Sequence, residues 1–236
     1  MTPEHLLFIP AIFLIGLAAG VMLTPYAIAL SKKRQLEQQT TDRRQAQLNR
    51  FSGRTVVYTL LGFVMVFAAT HLFSLPYTMA SLGEMTGGLP LFDQRTSFSA
   101  EEVYSRLTQF GPEARLVYQR FTYTADLVFP LTFLLFLSSL AGFVGERSTV
   151  SQRFRYLMIV LPAMWFLSDM LENIMTFALI AQFPRPANVI GGLIGYVTVV
   201  KFSLLFMALL LPLAVFSIYR RRDGIEEEFS NSKNVG

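Results

Sequence analysis

The chain has 236 residues, a formal net charge of +4, 53% hydrophobic residues and no cysteine. Its mean hydropathy is +0.45, and the apolar residues gather in long runs without period-two alternation, which excludes a soluble domain and a β-barrel and gives an all-α integral membrane protein. Without cysteine there are no disulfides, thiolate nucleophiles or iron–sulfur clusters, two histidines are too few for an all-protein zinc site, and the basic residues border apolar runs instead of forming a nucleic-acid patch.

The first apolar run, Leu6 to Leu30, ends at Lys32-Lys33-Arg34. The five residues before it carry no Lys or Arg, whereas a signal peptide begins with positive charge. Residues 1–31 are therefore read as a retained transmembrane anchor with its N-terminus outside, although Ala27-Ile28-Ala29 resembles a cleavage site. Gly16 and Gly20 are spaced as a close-packing pair, a candidate face for another membrane subunit as well as ordinary membrane-helix glycines. Residues 32–54 form a basic cytoplasmic linker, expected to lie on anionic lipid headgroups.

Residues 55–219 are predicted to form a four-span helical bundle. Its first helix, the second span of the chain, runs from Thr55 to Leu75 with His71 near the outer end, where a lone histidine reads as a hydrogen-bonded interface residue more readily than as a metal or haem ligand. An extracytoplasmic loop follows over residues 76–112. Within it, Thr86-Gly87-Gly88-Leu89-Pro90 signals a turn. Ser99 and Glu102 have the spacing of a capping box, opening a short helix that Gly111-Pro112 should stop. That helix would lie on the membrane, cap the bundle or act as a lid.

The third span is predicted from Arg115 to Gly145. It carries Asp126 four residues before Pro130, a spacing that frees a backbone carbonyl near Asp126 and favours a kink. The fourth, Leu157 to Ala181, contains Trp165–Ile174 at its centre, with Asp169, Glu172 and Asn173 at i, i+3 and i+4 on one helical face. The fifth, Val189 to Tyr219, opens with Gly191, Gly192 and Gly195 and holds Lys201 inside. Gly191 and Gly195 are a second candidate face for another membrane subunit. Residues 220–236 are read as a polar, disordered cytoplasmic tail.

Most of the 20 Lys and Arg fall in three segments, 32–54, 146–156 and 220–236, which share one side of the membrane if the chain crosses it five times. The positive-inside rule then places the N-terminus outside and the C-terminus in the cytoplasm of a bacterial-type plasma (inner) membrane. At 1.5 Å per residue, Asp126, Asp169, Glu172 and Lys201 lie roughly 13–20 Å below the outer surface. Charges at that depth cost at least roughly 2.5–3.5 kcal/mol each, so they are expected to meet inside the bundle, Lys201 pairing with Asp126, Asp169 or Glu172. Asn173, Tyr123 and Tyr196 are candidate hydrogen-bond donors, and Arg120 could reach in from above.

Three functions are open to such a cluster. It can fix helix packing in a non-catalytic component that binds an amphiphile or a partner helix. It can be the site of an intramembrane acid–base enzyme acting on a lipid or isoprenoid-like substrate, with Asp126, Asp169, Glu172, Asn173 and Lys201 as candidate catalytic residues. It can also belong to a proton-coupled transport component, although the inner halves of the spans hold few ionisable residues to complete a path. The non-catalytic component is the preferred reading. No hydrolase, kinase, dinucleotide-binding or zinc-protease motif is present, and no motif assigns a cofactor.

Overall fold

A computed structural model describes residues 51–148 and 150–233, with side chains described as far as Tyr219. The anchor 1–31 with Gly16 and Gly20, and most of the basic linker 32–54, lie outside the described residues. The described chain is all-helical: α1 Gly53–His71, α2 Met79–Met85, α3 Ala100–Phe121, α4 Ala125–Arg147, α5 Gln152–Gln182 and α6 Asn188–Lys233. Four stretches are long and apolar enough to cross a membrane: α1, the continuous 100–147 segment, α5, and α6 as far as Tyr219.

Four of the helices, α1, α2, α3 and α5, start where a hydroxyl takes an orphan amide. Ser52 caps α1 through Thr55, Ser99 caps α3 through Glu102 at 3.2 Å, and Ser151 caps α5 through Phe154. Only the Ser99 half of the expected capping box is present, because the Glu102 carboxylate turns to Arg95 at 3.7 Å. The expected stop at Gly111-Pro112 is a kink instead. Gly111 adopts φ 76°, open to glycine without steric cost, and Pro112 supplies a φ suited to a first helical turn, so α3 restarts and runs to Phe121. The apolar helix expected from Arg115 accordingly begins at α4, at Ala125, about ten residues later than the hydropathy run implies.

α6 also corrects the reading of the tail. Its backbone stays helical through Arg220-Arg221-Arg222 to Lys233, a stretch with no proline and several good helix formers.

The α5–α6 pair is the most extensive helix contact, followed by α1–α4 and α4–α5. α1 meets α4 through aromatic rings: Phe63 stacks on Phe133 at 4.3 Å, and Phe67 and His71 close on Phe129. The Thr59 and Ser139 hydroxyls share a hydrogen bond of 2.7 Å across the same interface. The opposite side of α1, with Val57, Leu61, Val64 and Met65, is exposed and turns to lipid when the helix spans a membrane.

A cap at one end of the bundle is built by the 76–99 loop, α2 and α3 around Leu82, Phe92, Leu107, Phe110, Tyr118 and Phe121. Arg106 organises it. Its guanidinium donates to the carbonyls of Pro90 and Arg95 and to Ser97 Oγ, each at 2.6 Å, and lies 4.7 Å over the Phe92 ring. This planar fork is a use lysine cannot reproduce. The glycines at the start of α6 admit the cap. A Cβ on Gly195 would meet Ser97 O at 2.3 Å, and one on Gly191 would meet Ala100 Cα at 3.0 Å. This glycine face is thus in contact with the chain's own 76–99 loop and α3.

Candidate functional site

Lys201 projects from α6 against α5, where Asp169 and Glu172 stand one turn apart. Its ammonium pairs with Asp169 Oδ1 at 3.3 Å and bonds directly to Glu172 Oε2. All three side chains are more than nine-tenths buried. Thr198 lies one turn before Lys201 on the same face, and its hydroxyl donates to Glu172 Oε1. Both Glu172 oxygens are therefore occupied, while Asp169 Oδ2 is buried with no hydrogen-bond partner.

Asn173 faces the other way, toward α4. Its Nδ2 donates to the backbone carbonyl of Asp126 at 2.9 Å. That carbonyl is the one Pro130, four residues on, cannot bond because it has no N–H. The carbonyl freed in the sequence reading is thus satisfied by Asn173, the one carboxamide among the candidates.

Four of the five candidates, Asp169, Glu172, Asn173 and Lys201, are buried at the meeting of α4, α5 and α6. The fifth, Asp126, enters through its backbone. Its half-buried carboxylate makes no ion pair with Lys201, which is paired with Asp169 and Glu172.

The other expected contributors lie elsewhere. Tyr123 packs edge-on to Phe177, Tyr196 is exposed beside Phe98, and Arg120 donates to Tyr77 Oη at 2.5 Å. His71 bonds Thr70 Oγ1 through Nδ1 at 2.8 Å and stacks on Phe67 at 4.5 Å, an interface role in keeping with its place at the helix end.

One residue of the site was not singled out in the sequence. Thr198 had a usable signal, its i, i+3 spacing from Lys201. In the irregular loop before α3, Asp93 Oδ1 is buried without a partner. Arg106 bonds on either side of it and the Phe92 amide donation to Tyr118 Oη at 3.2 Å hold this loop against α3.

Two spaces adjoin these residues. A groove of about 30 Å³ runs beside Asn173 between α4 and α5, lined by Thr122, Tyr123, Leu127, Met170, Ile174 and Phe177. A larger cleft of about 220 Å³ lies in the cap against Leu89, Arg95, Glu102, Arg106 and Phe110, and none of the five candidates lines it. Among the described residues, no three His, Cys, Asp or Glu side chains stand close enough to share a metal ion. Comparison with known protein families, with curated proteins and with solved structures finds no match for this chain.

Proposed function

We propose that the chain is a non-catalytic, multi-pass component of a plasma (inner) membrane, whose α5–α6 ion network is a packing device and whose outer half binds a small amphiphile. In this reading the chain spans the membrane five times, N-terminus outside and C-terminus in the cytoplasm, with residues 1–31 as anchor, 32–54 as a cytoplasmic linker on anionic headgroups, 55–219 as the bundle and 220–236 as a cytoplasmic extension. The alternation of α1, α4, α5 and α6 supports this orientation, since it brings residues 51–54, 146–156 and 220–222 to the same end of the bundle.

One observation carries the reading. The Lys201 ammonium and both Glu172 oxygens are consumed by one another and by Asp169 and Thr198 in a buried interface. Groups tied in this way hold two helices in register; they are not free to exchange protons with a substrate. The groove beside Asn173 has room for one or two waters, not for an enclosed lipid substrate, so an amphiphile there would lie along the bundle surface.

The test is the Glu172→Gln variant, purified in mild detergent and compared with wild type by thermal unfolding and native mass spectrometry. The proposal expects lower thermal stability with the same small molecule retained per folded chain. Normal stability with loss of the retained molecule would favour a chemical site instead. The acid–base alternative draws on one feature, the unpartnered Asp169 Oδ2. It requires Asp169→Asn to abolish turnover of a lipid or isoprenoid-like substrate without loss of folded protein.

A further inference from the structure

One buried charge in the cap has no counter-charge. Arg106 is 8% exposed, and among the described residues no carboxylate lies within ion-pair distance of it. Glu102, one turn earlier on α3, leans to Arg95 instead, at 3.7 Å. The carbonyls of Pro90 and Arg95 and the Ser97 hydroxyl take three of the five guanidinium N–H donors. Among the described residues, no bond takes the other two. A buried charge held only by neutral acceptors is costly, and an anion that reaches it gains charge-assisted hydrogen bonds.

The same guanidinium lines the cleft of about 220 Å³ in the cap. Leu89, Pro90 and Phe110 give this cleft an apolar wall. Arg95, Ser105 and Gln109 also line it and are exposed, so a solute can enter past them.

We propose that this cleft binds the anion of a small monocarboxylic acid, its carboxylate against Arg106 and its apolar body against Leu89, Pro90 and Phe110. The inference goes beyond the amphiphile reading, because the cleft shares no lining residue with the groove beside Asn173. Charge selects one carboxylate. The charged residues of the lining are Arg95, Arg106 and Glu102, which leave one positive charge for the ligand to neutralise. Two open N–H groups on one planar guanidinium suit the two oxygens of a carboxylate. Volume limits the body. The cleft is smaller than the roughly 300–1,000 Å³ of pockets for drug-sized ligands, so it suits a single ring or a short branched chain.

The test measures binding to the full chain in nanodiscs of uncharged lipid by isothermal titration calorimetry. The probes are benzoate, benzamide, which keeps the ring without the charge, and acetate, which keeps the charge without the ring. The proposal expects one benzoate per chain, bound at least about tenfold more tightly than either of the others. Ser105→Phe fills the cleft from an exposed position and should weaken benzoate binding about tenfold. Equal binding of benzamide overturns the role of Arg106 as a counter-charge. Equal binding of acetate overturns the apolar body. Undiminished binding in Ser105→Phe puts the benzoate elsewhere and overturns the cleft, and no benzoate binding up to about 10 mM overturns the proposal outright. These outcomes leave the amphiphile reading untouched, since that is tested by the molecule retained by the purified protein.

Discussion

The side-chain amide of Asn173 donates to the backbone carbonyl of Asp126, the acceptor that Pro130 leaves empty in α4. A helix break on one span is thereby repaired by a polar side chain on the next, and the repair locks α4 against α5 at the level of the ion network. Asn173→Leu should strand that carbonyl and destabilise the protein by about 1–3 kcal/mol. Pro130→Ala restores the missing N–H, so the double variant should recover much of the loss. A double-mutant cycle by thermal or denaturant unfolding checks this, and strict additivity would show that the two residues are not coupled.

Removing Lys201 should be among the most damaging single changes. Lys201→Met leaves Asp169 and Glu172 facing each other at a buried interface, a loss of about 3–5 kcal/mol. Adding Glu172→Gln should restore part of that stability by removing the stranded charge. Wild-type unfolding of the single variant would show that the three residues do not act as one network.

The α6 glycines make a position-specific prediction. Gly195→Ala places a methyl 2.3 Å from Ser97 O, so the outer loop must move, at a cost of about 1–3 kcal/mol. Gly192→Ala meets nothing within 4 Å and should change stability by no more than about 0.5 kcal/mol. Comparing melting temperatures of the two variants separates docking of the cap from any general effect of helix glycines.

How much of this was legible in the sequence depended on periodicity. α1, α5 and the membrane part of α6 are long apolar runs, and their ends fall within a few residues of the hydropathy boundaries. Asp169, Glu172 and Asn173 were tied together by helical spacing, and the Pro130 offset pointed to the carbonyl of Asp126. The cap was less legible. α2 is only seven residues long and its box uses Thr78 and Ser81, a weaker signal than Ser–Glu. The α3 kink depends on the φ of Gly111, which the Gly-Pro pair alone does not distinguish from a stop. The loop around Asp93 is placed by Arg106, which bonds Pro90 and Arg95 on either side of it, a tertiary arrangement with no local pattern.

The chain contains no cysteine, so it is a ready background for mapping orientation. Single cysteines at Thr2 and Gln94 should react with a membrane-impermeant maleimide on intact cells, and one at Gln152 only after permeabilisation. Labelling of Thr2→Cys and Gln152→Cys from the same side would contradict the five-span, N-out topology.

The account turns on what the folded protein holds in its outer half. Native mass spectrometry with lipidomics on the protein purified in mild detergent tests this most directly. The account predicts one small amphiphile per chain, retained by wild type and by the folded Glu172→Gln variant. A folded wild-type chain that carries no small molecule, or a folded Glu172→Gln chain that has lost it, would contradict it.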